Sequence, residues 1–145
     1  MSVRPIIQAP NPALLEPSFP VNRRDAINDL MGDLIVTRLE NDCAGLSAVQ
    51  IGPHLRIVAV SPKLFYGFKI LINPEIVARS ERMVIDHEGC MSIRHGVPRF
   101  QVSRHEFVQV HFMDRTGQMH DLRAEGFAAR LVQHEIDHLD GKLIA

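Results

Sequence analysis

Gln133-His134-Glu135-Ile136-Asp137-His138 places two imidazoles four residues apart with a carboxylate directly after the first. On a helix, residues four apart stand one above the other, so both rings can reach one divalent ion while Glu135 addresses a water beside it. That combination reads as metal-assisted hydrolysis. With eight His and eight Glu in 145 residues, His-Glu-x-x-His is expected by chance only ~0.02 times. The match is therefore informative, set against the plainer reading of a half-buried helix with hydrogen-bonded histidines.

Two histidines do not complete a site, and after His138 only Leu139-Asp140-Gly141-Lys142-Leu143-Ile144-Ala145 remain, with Asp140 too close on the helix to serve comfortably. The third ligand is sought upstream. The best candidate is Cys90 in Glu88-Gly89-Cys90-Met91-Ser92, where the glycine lets the backbone approach a bound group and a thiolate is a strong ligand. One Cys and two His leave a fourth position for water. A lone cysteine is also a small buried hydrophobe, and that reading stands beside the first. A third segment, Gly45-Leu46-Ser47-Ala48-Val49-Gln50-Ile51-Gly52, combines small residues with one uncharged amide. Small residues admit a substrate backbone, and a glutamine donates to a developing oxyanion without titrating. By itself the segment reads as a turn between helix and strand.

The elements that must position these groups fit one domain. A chain of 145 residues with 46% hydrophobic composition has enough apolar material for one core and is short for two. A formal net charge of −1, with 16 basic residues scattered among 17 acidic ones, gives no footprint for nucleic acid or a membrane surface. No apolar run reaches transmembrane length, and Met1-Ser2-Val3-Arg4-Pro5 lacks the apolar core of a signal peptide, so a cytoplasmic location is expected. Cys43 and Cys90 then fit metal binding or packing better than a disulfide.

Five of the nine prolines lie in the first twenty residues and predict an extended arm over the core. Ile27, Leu30, Met31, Leu34, Ile35 and Leu39 recur at helical spacing and predict an amphipathic helix over 23–41, with Asn22 as N-cap and Asp25 three residues on. Strands are predicted over 56–60, over 69–72 closed by Asn73-Pro74, over 76–78 and over 83–85. Residues 107–112 and 119–122, joined by Asp114-Arg115-Thr116-Gly117, read as a hairpin. A last helix over 125–139 carries Phe127, Leu131, His134 and His138 along one stripe and stops before Gly141. The expected class is α+β, with antiparallel or mixed strands packed around the C-terminal metal-binding helix.

The three chemical segments together resemble the peptide deformylase family, whose motifs are a Gly-Leu-x-Ala-x-Gln segment, a Glu-Gly-Cys-Leu-Ser segment and a terminal Gln-His-Glu-x-Asp-His-Leu, here in the same order. The resemblance spans nearly the whole chain, including Ile72-Asn73-Pro74 and the Glu125-Gly126-Phe127 lead into the last helix. It implies that Cys90, His134 and His138 hold one divalent ion, Fe(II) first, with zinc, nickel or cobalt as substitutes. It implies that Glu135 moves the proton and that Gln50 and the backbone N–H of Met91 stabilise the oxyanion. The implied substrate is an N-formyl peptide bound as an added strand beside Gly45 and Gly89, with formate released. The implied setting is the cytoplasm, with transient approach to the ribosome and no direct contact with nucleic acid or membrane.

The sequence departs from the family at Cys43, where glycine is usual, at Ser47, where alanine is common, and at Ile93-Arg94-His95-Gly96-Val97-Pro98-Arg99, a shortened loop without the family's proline after the cysteine motif. Cys43 is therefore expected near the substrate. The extra C-terminal helix of some members is not expected among the seven residues after His138. Glu88 is expected to pair with Arg99 or another basic group and brace the cysteine loop, and Asp137 to orient a neighbour. The departures motivate a second reading, a deformylase-fold amidohydrolase for another small N-formyl compound. A metal-binding scaffold with little hydrolysis is a third, against which the full set of Gln50, Cys90, His134, Glu135 and His138 argues, since a structural metal site needs neither the glutamate nor the glutamine.

Overall fold

The computed structural model describes residues 1–22, 26–93 and 99–144. Helix α1 (Asn28–Glu40) is followed by strands β1 (Gly45–Ser47), β2 (Ile57–Val60), β3 (Ile70–Arg79), β4 (Met83–Glu88), β5 (Phe100–His105), β6 (Phe107–Met113) and β7 (Met119–Glu125), then by helix α2 (Gly126–Leu139). Five strands form one sheet in the order β1-β2-β3-β6-β7, while β4 and β5 form a separate hairpin. All pairings of named strands are antiparallel, and the α+β class is as expected. No helix among the described residues is long and apolar enough to cross a membrane.

Alternation along β2 and β3 divides the core into two layers. Val58, Val60 and Leu71 join Val108, Val110 and Phe112 under Leu131, Val132, Ile136 and Leu139 of α2. Ile57, Ala59, Ile70 and Ile72 point the other way, toward Leu30, Met31 and Leu34 of α1. The period of two thus explains why β2 is buried along its whole length. Full burial of each such aliphatic side chain contributes about 1.5–3 kcal/mol, so α2 is anchored along one stripe and can present another to a cleft.

Several expectations require correction. α1 begins at Asn28, with Ile27 as an N-cap lacking a side-chain bond, rather than at Asn22. The Asn73 side chain exchanges hydrogen bonds of 2.8 and 2.9 Å with the Val21 backbone and so ties the preceding segment to β3 instead. Asp25 lies outside the described residues. Leu39 is exposed, and the amphipathic pattern is blurred because the N-terminal arm covers a polar side of α1. There, Asp33 accepts from Ser2 N and Arg4 Nε at 2.7 Å each, and Thr37 Oγ1 accepts from Arg4 N at 3.0 Å.

Asn73-Pro74 does not end a strand. It sits inside β3, where Asn73 adopts φ 50° and the pairing with β6 shifts register between Ile72 and Glu75. A bulge accommodates a proline that has no N–H to give to the ladder. β1 and β5 were not predicted. β1 has only three residues, and β5 is a polar-looking strand whose buried slot is filled by Arg104. The final hairpin and α2 match the sequence pattern. At Gly141, φ is 77° and a Cβ would lie 2.6 Å from the Leu15 oxygen, so the left-handed stop after α2 requires glycine.

Candidate active site

The i, i+4 pair on α2 meets the turn after β4. Cys90 Sγ lies 3.2 Å from His138 Nε2, the two imidazole centroids are 5.0 Å apart, and one donor atom from each of Cys90, His134 and His138 falls within 4.8 Å of the others. All three are buried. Tetrahedral bonds of 2.0–2.3 Å would set donors roughly 3.5 Å apart, so the cluster fits a divalent cation with little adjustment. Electrostatics agree. Burial and the neighbouring His134 and Arg104 push His138 down to about 3, keeping it neutral. Burial opposes charge on His134 too, yet hydrogen bonds to Cys90 and Glu88 prevail and raise it to about 10, which marks a position that favours positive charge.

His134 Nδ1 is 2.9 Å from Glu88 Oε1, which leaves Nε2 for the cluster. Glu88 is the hub of a buried network. It accepts from Arg104 Nε at 3.0 Å and Nη2 at 2.9 Å, and from Arg130 Nη1 at 2.7 Å. Burial works to raise its pKa, but the His134 and arginine donors overcome this and hold the carboxyl at about 2. The expected partner Arg99 is not among them. Its Nη2 donates to the His87 carbonyl at 3.1 Å, because the guanidinium sits at the exposed end of the hairpin. Arg104 also reaches Asp137 at 2.6 Å, and Gln133 clamps His105 of β5 through two bonds of 3.0 Å. α2 is thus fastened to the β4–β5 hairpin that carries the cysteine turn.

A cleft of about 340 Å³ opens over the cluster, with Cys43, Gly45, Gln50, Gly89, Met91 and Glu135 in its walls. Burial raises the Glu135 pKa, partly offset by His134 and a hydrogen bond from Ser47. Gln50 Oε1 accepts from Ser47 N at 2.9 Å and its Nε2 donates to Ser92 Oγ at 3.0 Å, so the amide orientation is fixed with one N–H left over. The Met91 N–H has no partner among the described residues. The N-terminal arm backs this wall. Ile7 N donates to the Gln50 carbonyl at 2.8 Å, Ala9 N to Ser92 at 2.7 Å and Gln8 Nε2 to Met91 at 2.7 Å. Cys43 is a neutral thiol, pushed up to about 11 by burial and by Glu135. A larger groove of about 740 Å³ on the far side of α2 contains none of the cluster residues, so size alone does not locate the chemistry.

A polypeptide deformylase family model matches residues 3–145. The chain belongs to that family. Peptide deformylase 1 of Rickettsia conorii is 37% identical over 154 aligned positions, covering 99% of this chain and 86% of that protein. The crystal structure of the Thermotoga maritima peptide deformylase superposes with a TM-score of 0.91 at 29% identity, covering 99% of this chain and 96% of that one. The Ehrlichia chaffeensis peptide deformylase in complex with actinonin gives 0.87 at 35% identity, covering 99% and 87%. This deformylase chain is therefore a hydrolase of the formyl-removing family.

In the deformylase, all nine residues singled out from sequence lie at the cluster or in the cleft. Phe127 shares one stripe of α2 with Leu131 and His134, as expected. It is exposed and lines the cleft, because the stripe it shares with His134 faces the opening rather than the sheet. Arg104, Arg130 and the Ser47 hydroxyl were missed. A charged residue inside the apolar run Ala128-Ala129-Arg130-Leu131-Val132 was the available signal for Arg130. The loop departure at Arg94 to Val97 lies outside the described residues.

Proposed function

We propose that residues 1–145 act as one catalytic domain that removes the formyl group from N-formylmethionyl peptides, using Fe(II), for which zinc, nickel or cobalt can substitute. The carrying observation is the convergence of Cys90, His134 and His138 with Glu135 and Gln50 on one cleft. Cys90, His134 and His138 would hold the ion, which supplies Lewis acidity and a water of lowered pKa. Glu135 takes the proton of the attacking water and returns it to the departing amine, a double duty suited to a carboxyl whose pKa burial has raised. The water oxygen bonds to the formyl carbon, the carbon–nitrogen bond breaks, and formate and a free amine leave. Gln50 Nε2 and the Met91 N–H donate to the oxygen that gains charge. The substrate backbone runs past Gly45 and Gly89 as an added strand, with Cys43 beside its first residue. Such a substrate places the protein in the cytoplasm, in transient approach to the ribosome that supplies nascent chains.

The test is formate release from an N-formylmethionyl peptide by protein prepared without oxygen, with metal content measured on the same sample. Glu135→Ala should lower kcat by about 10²–10⁴-fold while keeping the metal. Chelation should abolish turnover and Fe(II) should restore it. Metal-replete protein that releases no formate would sink the proposal, and faster turnover of a different small formamide would move the substrate assignment to that compound.

A further inference from the structure

Ser47 is fully buried at the end of β1, and its Oγ lies 2.8 Å from Glu135 Oε1 and 3.0 Å from the Glu135 backbone oxygen. One hydroxyl touches both the main chain and the tip of the same residue. That closes a small ring and restrains the side-chain torsions of Glu135 relative to α2. Gly45, on the same strand, supplies the second wall. A Cβ there would stand 3.0 Å from Glu135 Oε2 and 3.1 Å from its Cγ, so the carboxylate passes close over the glycine. Oε1 is engaged by Ser47, while Oε2 has no hydrogen-bond partner among the described residues. The strand that does this is itself fixed by the pairing of Ser47 with Val58 and by the Ser47 N–H bond to Gln50 at 2.9 Å.

We infer that Ser47 is a positioning residue for the hydrolytic step, its hydroxyl determining which carboxylate oxygen of Glu135 faces the cleft and holding it there. The inference rests on the proposed role of Glu135 as the base. The Ser47 N–H donates to the Gln50 side chain and the Ser47 side chain accepts from the Gln50 backbone N–H in a capping box, so the Glu135→Asp background, which alters only the carboxylate contact, separates an effect through Glu135 from one through Gln50. Ser47 does not line the cleft, so substrate grip is independent of its hydroxyl. Alanine would free the carboxylate to rotate about its terminal torsion, and a base that spends less time in the productive geometry lowers kcat and leaves KM alone.

The experiment compares Ser47→Ala and Ser47→Thr with the unaltered Fe(II) protein, measuring kcat and KM on an N-formylmethionyl peptide, bound metal and melting temperature. Ser47→Ala should lower kcat roughly three- to tenfold, with KM within about twofold and bound metal unchanged. Threonine, which keeps the hydroxyl, should restore most of the loss. An alanine variant with unaltered kcat, or with its loss confined to KM, overturns the inference. If the extra methyl of threonine lowers the melting temperature, the Glu135→Asp background decides. Its carboxylate falls one methylene short of the hydroxyl, so the alanine factor should shrink toward one, and an equal factor in both backgrounds overturns the inference. Turnover retained by Glu135→Ala refutes the base assignment itself, whereas its loss beside an unaffected Ser47→Ala refutes only the role of Ser47.

Discussion

Replacing Glu88 with glutamine removes one charge while keeping the shape of the side chain. Glu88 is 5% exposed and accepts four hydrogen bonds, two from Arg104, one from Arg130 and one from His134. Those donors hold its carboxyl at about 2 against an ordinary 4.5. That depression is linked to about 3 kcal/mol of stability. Because the folded state has the lower pKa, the contribution is complete above pH 4.5 and is lost as the pH falls toward about 2. In the variant, an amide N–H₂ faces guanidinium donors. Arg104 keeps Asp137, and Arg130 keeps the Val102 and Val84 carbonyls, so both remain buried with one side unmatched. A broken buried pair of this kind costs about 3–5 kcal/mol at neutral pH. Urea unfolding of metal-free, reduced protein over a pH series measures this without the proton dependence that metal binding adds. The gap between wild type and variant should narrow by about 3 kcal/mol between pH 4.5 and 2. A gap below about 1 kcal/mol at neutral pH, or one constant through the acid range, refutes the account of the network.

Gly45→Ala places a methyl 2.9 Å from Leu131 Cδ1 and 3.0 Å from Glu135 Oε2. Displacement of the base should lower kcat by about 10²-fold, with an overpacking cost of about 1–3 kcal/mol, read by formate release and by thermal melting of the same sample. Phe112 is fully buried and meets Phe68 edge-on at 5.2 Å, so Phe112→Ala should cost about 3–5 kcal/mol in urea unfolding. Phe112 neither lines the cleft nor belongs to the cluster, so metal binding should stay intact in the fraction that remains folded.

Much of the site was legible because it is written in local geometry. His134 and His138 share a helix face whatever the rest of the chain does, and Gly89-Cys90 offers a thiolate beside a residue that admits close approach. The amphipathic β6–β7 hairpin was equally readable, since Phe107–Met113 alternates between buried and partly buried positions. Legibility failed where a long-range partner overrode a local rule. Asn73-Pro74 looks like a strand end, but the bulge against β6 lets β3 continue. Arg104 looks like a surface residue, but Glu88 makes its burial in β5 tolerable.

Residue type and spacing alone put His134, Glu135 and His138 on one helix face and pointed to metal-assisted hydrolysis, because helix periodicity and the chemistry of imidazole and carboxylate need no distant information. Cys90 and Gln50 became more than candidates only through the joint resemblance of the three segments to one family. The tertiary structure decided how those groups are held. His134 and Glu88 are 46 residues apart, and Ser47 and Glu135 are 88 apart, so their hydrogen bonds exist only once α2 has packed on the sheet and the β4–β5 hairpin has closed beside it. That packing also sets the electrostatics, since burial and partners brought in from far along the chain, together with the adjacent His134–Glu135 pair, move the pKa values of His134, Glu135 and Glu88.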